Sequence, residues 1–520
     1  MTLDKGTMSR ILSLPRTSQN LASSRAFRYL QTEVVRPQNQ KVVSGLSSTQ
    51  LETRKERQEG DISSVFASLS GEKAKALPER FADLKRHIIG DEANQQALIS
   101  SWTSLTKRLR QAAVEIEKKK QDCIPQITYD EFISSPSSST IEAIKRAGSL
   151  ILKNVIPEET VVEWLKDTKA YIKANPDVKG FPKDDKQVFE LYWSKVQLKA
   201  RSHPRSLQAQ KSLLKLFSHS PDFPVSLNTP LCYADRLRIR HPGDAKFALG
   251  PHADGGSVER WEDLTYRKVY QKILEGHWEN FDAWTIAERS LARQNLYDGP
   301  GSCGVFRAFQ GWTSLSSTGP DEGTLRVYPF IKELTAYTML RPLFRDKESR
   351  STLTRDEYLS SSNWQLDLTT SEFPGSPLAR GQEYNDITHP HLELERSMVS
   401  MPRVEPGDQA WWHADVIHAV ESTHNGKGPS AVLYIPTVPL TEQNIEYIKD
   451  QRDTFLSGKP GPDFPGGVGE SQFVGRGLPE DIETKEGRQA MGLEPFDLDG
   501  DLTAGEKEMM RQANEILGFN

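Results

Sequence analysis

The residues most able to do chemistry lie in Gly250-Pro-His-Ala-Asp-Gly-Gly-Ser-Val-Glu-Arg-Trp261. His252 and Asp254 are two apart, and on an extended chain residues i and i+2 point to the same face. An imidazole and a carboxylate therefore converge on one point. Gly255 and Gly256 let the chain turn away and leave room beside it. A further histidine comes from Glu405-Pro-Gly-Asp-Gln-Ala-Trp-Trp-His-Ala-Asp-Val-Ile-His418. There a turn at Pro406-Gly407-Asp408 feeds an apolar strand, and His418 lies ten residues past Asp408. Two histidines and one carboxylate make a facial triad. Such a triad leaves open positions on a metal and suits non-haem Fe(II) chemistry. His413 and Asp415 form a second His-x-Asp pair. It lies inside a stretch read as one strand ending at His418, so the glycine-flanked pair is preferred.

The elements that must position these residues follow from periodicity. Helical spacing runs over 81–121, 139–153, from Pro157 to Ala174, and over 185–219 with an interruption at Pro204. After Pro224 the pattern changes to short runs of period two. DRLRIRH, VFRAFQGWTSLS, TLRVYPF, MVSMPRV, QAWWHADVIHAV and SAVLYIPTV read as strands. A helical insert is expected over 261–292, a helix after Pro439 and another near 504–517. The expected class is α+β, with a helical layer before an antiparallel core. The divisions read from the sequence are 1–76 as a basic then polar extension, largely disordered, 77–223 as a helical region packed on the core, 224–440 as the metal-binding core and 441–520 as a C-terminal extension.

The 520 residues carry a net charge of -5, with 36% hydrophobic and 26% charged residues. That balance excludes collagen and a wholly disordered chain, and it offers no basic face for nucleic acid. No apolar run approaches the ~20 residues needed to span a bilayer. The three cysteines, Cys123, Cys232 and Cys303, form no CxxC pair, so a disulfide framework is not expected and a reducing compartment is. Between Lys5 and Thr32 stand five basic residues and no acidic one. Two readings stay open there, a mitochondrial transit peptide or a plain tail, so the expected location is cytoplasmic or mitochondrial.

The order His-x-Asp, Pro-Gly-Asp turn, distal His resembles that of the Fe(II)/2-oxoglutarate-dependent dioxygenases. The spacing from Asp408 to His418, and the run GVFRAFQGWTSLSSTGPDEGTLRVYPF at 304–330, look like the phytanoyl-CoA hydroxylase-like branch. PHADGGSVERW, LERSMV, HADVIHAVE, HNGKG and YIP are more closely similar to a microbial family called domain of unknown function 1479. The superfamily resemblance implies a double-stranded β-helix (jelly roll, cupin-like) with the metal at one mouth. It also implies Fe(II) held by His252, Asp254 and His418, with 2-oxoglutarate as cosubstrate and molecular oxygen consumed. A small-molecule substrate would be oxidised.

One departure stands out. The superfamily usually carries an arginine about ten residues past the distal histidine, to pair with the far carboxylate of 2-oxoglutarate. The segment from His418 to Pro436 contains none, and Ser430 or Ala431 occupies about that place. The remaining candidates are Lys427, Arg326 and Arg307. Two alternative readings therefore stand beside the oxygenase: a jelly-roll metal enzyme that does not use 2-oxoglutarate, and a non-catalytic jelly-roll binding protein. His389, His391, His424, Asn425 and the tryptophans 261, 312, 411 and 412 are either pocket or packing residues, and Arg260 is either an exposed group for an acidic substrate or half of a salt bridge to the helical insert. Cys303 reads as a buried thiol.

Overall fold

The structure is a computed structural model that describes residues 65–70, 76–299 and 303–519. The basic stretch 5–32 and the polar stretch 38–60 lie outside the described residues, as do the expectations attached to them.

The strands, in chain order, begin with β1 (Gln126–Thr128), β2 (Ser149–Lys153), β3 (Gly180–Phe181), β4 (Val188–Phe189), β5 (Ser226–Leu231) and β6 (Leu237–Arg240). They continue with β7 (His252–Ala253), β8 (Phe309–Ser314), β9 (Leu325–Val327), β10 (Phe344–Asp346), β11 (Trp364–Leu366) and β12 (Gln382–Glu383). The last are β13 (Val399–Ser400), β14 (Gln409–His413), β15 (His418–Val420), β16 (Ser430–Tyr434) and β17 (Val438–Leu440). A large sheet has the order β1-β2-β14-β8-β16-β6-β4-β3, and a smaller one has β12-β7-β15-β9-β13. Among the described strands only β1 and β2 pair in parallel. The fold is mixed α+β with large, mostly antiparallel sheets.

The middle of the large sheet is buried on both faces. Every residue of β8 and β14 is buried. Side chains alternate across it: Trp312, Ser314, Val432 and Trp412 line an internal cavity, while Trp411 packs on the other face. Trp411 stands opposite Gly311, and its indole lies 2.2 Å from where a Cβ at Gly311 would be. The glycine is what lets the ring lie flat on the sheet.

The long helix Glu92–Lys119 is capped by the Asp91 side chain, which accepts from the Asn94 amide. Its apolar stripe, Leu98, Trp102, Leu105, Leu109 and Ile116, is fully buried. Trp102 stacks on Phe344 at 4.4 Å. Among the described residues no helix is long and apolar enough to cross a membrane.

Several elements differ from expectation, each for a local reason. Over 81–121 there are two helices, Arg80–Ile89 and Glu92–Lys119, divided at Gly90 (φ 69°). The helix expected over 139–153 stops at Ala147, because Gly148 takes the left-handed conformation. The following residues form β2 against β14. Within 185–219, Val188–Phe189 is a strand that pairs with β6 before the helices begin. The region 77–223 thus contributes four strands to the large sheet as well as its helices. The run QAWWHADVIHAV is two strands, not one. β14 ends at His413 in the large sheet, the chain turns through 414–417, and β15 begins at His418 in the small sheet.

Candidate metal centre

His252 on β7 and His418 on β15 are directly opposed across the ladder, with ring centroids 4.1 Å apart. In each ring Nδ1 faces a backbone carbonyl, Gly250 O at 2.7 Å for His252 and Val416 O at 3.1 Å for His418. A carbonyl only accepts, so Nδ1 carries the proton and Nε2 keeps its lone pair free. Asp254 comes from the turn after β7. Its Oδ1 is 4.0 Å from His252 Nε2 and its Oδ2 is 3.7 Å from His418 Nε2. One donor atom from each residue falls within a 4.8 Å cluster.

The charge states suit such a role. Burial pushes the His418 imidazole down to about 3, reinforced by neighbouring His252, so the ring is neutral. Burial alone would raise the Asp254 carboxyl. His418, Arg307, His252 and a hydrogen bond from Gln310 outweigh it and hold the group well below the ordinary carboxylate range. A neutral His418 imidazole, the Nε2 of His252 facing the same point and an ionised carboxylate are a donor set that fits a divalent ion with open positions.

The turn that presents Asp254 is fastened from behind. Gly255 and Gly256 have φ of 82° and 94°, a region that favours glycine. Arg260, buried at 3% exposure, donates to Asp254 O at 2.8 Å and to Gly256 O at 2.7 Å. The Tyr266 hydroxyl donates to Gly255 O at 2.7 Å. Arg260 is therefore neither an exposed substrate group nor half of an ion pair with the insert. It positions the carboxylate by holding the backbone on either side of the turn.

The triad opens onto the cavity between the sheets. Phe66 meets His252 edge-on at 4.8 Å, and Trp412 lies 5.1 Å from His418. The Phe66 segment is fastened along β12. Gly381 N donates to Val65 O at 3.0 Å, and the Ser68 amide and hydroxyl both bond the Glu383 carboxylate. Arg307 lies in the cavity wall with Nη2 3.9 Å from Asp254 Oδ2.

The other candidates separate by strand alternation and turn position. Arg326 stands opposite Ala419, whereas its neighbour Val327 stands opposite His418. The arginine therefore points away from the triad and donates to Met398 O at 2.9 Å. Lys427 is exposed in the turn before β16. Neither is brought to the cavity, which corrects both as partners for a cosubstrate carboxylate.

His413 is a packing residue. Its Nδ1 accepts from Asp415 N at 3.0 Å, its Nε2 faces Ala283 O at 3.1 Å, and burial drives it down to about 3. Asp415 is taken by Arg289 at 2.6 Å and by Tyr270 at 2.9 Å. His389 and His391 are buried beside Tyr337. His424 accepts from Gly426 N at 3.1 Å, and Asn425 is exposed. Trp261 donates to Met339 O at 3.0 Å. Cys303 lines the cavity, and burial pushes its thiol up to about 12. Residues not anticipated are Gln310, Phe66 and Arg238, all lining the cavity. The alternation in DRLRIRH carries a signal for Arg238, since its three arginines share one face.

The model of the Gig2-like family matches residues 75–493. Over 400 residues the chain is 30% identical to the uncharacterized protein YbiU of Escherichia coli K12, covering 74% of this chain and 89% of YbiU. A crystal structure from Salmonella typhimurium LT2, provisionally designated an oxidoreductase, matches with a TM-score of 0.66 at 27% identity, over 80% of this chain and 98% of that one. The crystal structure of GlcNAc Inducible Gene 2, GIG2 (DUF1479), from Candida albicans matches with a TM-score of 0.76 at 33% identity, over 86% of this chain and 97% of that one. Matched along most of its length by the family model and by these relatives, the chain belongs to the Gig2-like family, DUF1479.

Proposed function

We propose that the protein is a non-haem Fe(II)-dependent oxygenase that uses 2-oxoglutarate and molecular oxygen to oxidise a small molecule. The observation that carries this is the convergence of two Nε2 atoms and one ionised carboxylate on the wall of a cavity between two mostly antiparallel sheets. The winding supports a double-stranded β-helix. The chain alternates large, small, large, small through β6, β7, β8 and β9, and small, large, small, large through β13, β14, β15 and β16. The provisional oxidoreductase designation of the Salmonella relative supports the same class.

The chemistry that Fe(II) supplies in such a site is oxidation of a substrate C–H bond, coupled to conversion of 2-oxoglutarate and oxygen to succinate and CO2. The protein's own part is ligation and exclusion of water. His252 and His418 would ligate through Nε2. Arg307 and Gln310 keep Asp254 ionised, and Arg260 fixes its direction. Phe66 and Trp412 pack against the histidine ligands and keep that side dry, which strengthens every charge interaction within.

A metal-dependent enzyme that takes no 2-oxoglutarate is the second reading. The placement of Arg326 and Lys427 outside the cavity, and of Arg307 against Asp254, favours it. One titration separates the two. Fe(II) is added anaerobically to the wild type, His252→Ala and His418→Ala, each with 2-oxoglutarate, and the visible charge-transfer band of the chelate is followed. A band in the wild type that both variants lose supports the oxygenase. Iron bound without a band moves the second reading to the front, and no iron binding refutes the metal centre.

A further inference from the structure

We propose that Arg238 anchors the far carboxylate of a small dicarboxylic acid whose other end lies at the metal centre. The inference rests on the metal-centre reading above and names the group that replaces the missing arginine after His418.

Arg236, Arg238 and Arg240 alternate onto one face at the start of and along β6. Arg240 is fully engaged. Its Nε meets Asp244 Oδ2 at 2.6 Å, Nη1 donates to Glu421 O at 2.7 Å, and Nη2 donates to Ser422 O at 2.9 Å and Asp244 O at 3.1 Å. Arg236 has Asp235 beside it at 3.4 Å. Arg238 differs from both. It is 6% exposed, and no carboxylate among the described residues lies within ion-pair distance of it. Its neutral partners are Gln187 Oε1 at 3.2 Å and Phe247 O at 3.3 Å, with the Tyr434 hydroxyl beside it. Its Nε–H is buried without a partner. A guanidinium is always charged, and a buried charge without a counter-charge is costly. An anion in the cavity that Arg238 lines removes that cost.

The register places this charge beside the expected position. β16 is the next strand after the one that carries His418, and two of its inward residues, Ser430 and Val432, are small. Val432 is paired with Arg238 on one side and with Ser314 on the other. The cation thus reaches the cavity from the neighbouring strand instead of from β16 itself. A second buried donor without a partner, Thr324 Oγ1, lines the same cavity. A guanidinium fork matches a planar carboxylate in two parallel hydrogen bonds. A phosphate dianion would call for a second free cation, whereas Arg236 and Arg240 are taken by Asp235 and Asp244, and Arg307 faces Asp254. A diacid with a 2-oxo group at one end satisfies Arg238 and an open metal site together, and 2-oxoglutarate is such a molecule.

The test compares three ligands on wild type, Arg238→Gln and Arg238→Lys, read by tryptophan fluorescence, since Trp312 and Trp412 line the cavity. With Fe(II) under anaerobic conditions, the wild type binds 2-oxoglutarate about tenfold or more tightly than 2-oxobutyrate, which lacks the far carboxylate. Arg238→Gln abolishes that preference by weakening 2-oxoglutarate alone, and Arg238→Lys restores part of it. Unchanged 2-oxoglutarate affinity in Arg238→Gln overturns the proposal. So does an equal loss of both ligands in both variants. Glutarate on metal-free protein separates this idea from the oxygenase reading. Glutarate that binds wild type and not Arg238→Gln upholds the anchor even where no charge-transfer band forms. Absence of glutarate binding, together with equal affinities for the two oxo acids, refutes it.

Discussion

Arg260 offers the sharpest test of how the proposed metal centre is built. Replacing it with methionine keeps most of the side-chain volume and removes the donors to Asp254 O and Gly256 O. A hydrogen bond from a charged group contributes ~1.5–3 kcal/mol, so the two together set a ceiling of ~3–6 kcal/mol on the loss. Part of that appears as lower global stability. The rest appears as freedom of the Asp254 carboxylate, because the freed carbonyls are those of Asp254 itself and of Gly256, two residues on. If ~1.4–2.8 kcal/mol of it falls on ligand placement, metal affinity drops ~10–100-fold. The assay is a Co(II) or Fe(II) titration run beside urea unfolding. Asp367→Asn is the control. It strips the partner from buried Lys85, an ion pair of 2.7 Å, and costs ~3–5 kcal/mol without touching the triad. The reasoning predicts weakened metal binding in Arg260→Met and wild-type binding in Asp367→Asn. If Arg260→Met unfolds more easily yet binds metal as the wild type does, the glycines and Tyr266 hold the turn unaided and the argument fails.

Two further outcomes are expected. Phe66→Ala uncovers His252, so bound Co(II) leaves to a chelator several times faster than from wild type in stopped-flow absorbance; an unchanged rate refutes the covering role. The Lys85–Asp367 pair gives an acid-side signature. Burial would raise the Asp367 carboxyl, but hydrogen bonds from Lys85 and Thr370 win and hold it at about 2. A depressed folded pKa means the contribution is full above the unfolded value of ~3.9 and is lost as pH falls toward 2. It amounts to ~2–3 kcal/mol. Urea midpoints of wild type fall over that window, and those of Asp367→Asn fall less.

What the sequence displays and what it hides divide along locality. His252 and Asp254 announce themselves because their relation spans three residues and a pair of glycines. The Pro-Gly-Asp turn places His418 by a similarly short count. The helix cap at Thr503, whose side chain accepts from the Glu506 amide, is local as well, and the helix Ala504–Leu517 that it begins lies where periodicity puts it. The strand β2 is hidden because Ser-Leu-Ile-Leu-Lys suits either period, and only the left-handed Gly148 and the partner β14 decide it. QAWWHADVIHAV conceals two strands because continuous burial looks the same from one sheet to the next. Arg326 and Arg238 show the limit most clearly. Counting forward from His418 searches one strand, whereas sheet pairing brings β6 beside β16 from nearly two hundred residues upstream. Pairing of that kind depends on long-range contacts that a local pattern does not encode.

The opposition of His252 and His418 across one rung of the ladder has a consequence for how such a protein diversifies. The spacing of the two imidazoles is inherited from the backbone hydrogen-bond lattice and from carbonyls at Gly250 and Val416, not from the side chains that face the ligand. Much of the cavity wall belongs to other strands, β6, β8, β14 and β16. Residues there can be exchanged without resetting the distance between the histidines. Under the proposed function, ligation of metal and choice of ligand thus rest largely on different strands. A chimera carrying the inward residues of β6 and β16 from a relative would acquire that relative's ligand preference while keeping its own affinity for metal.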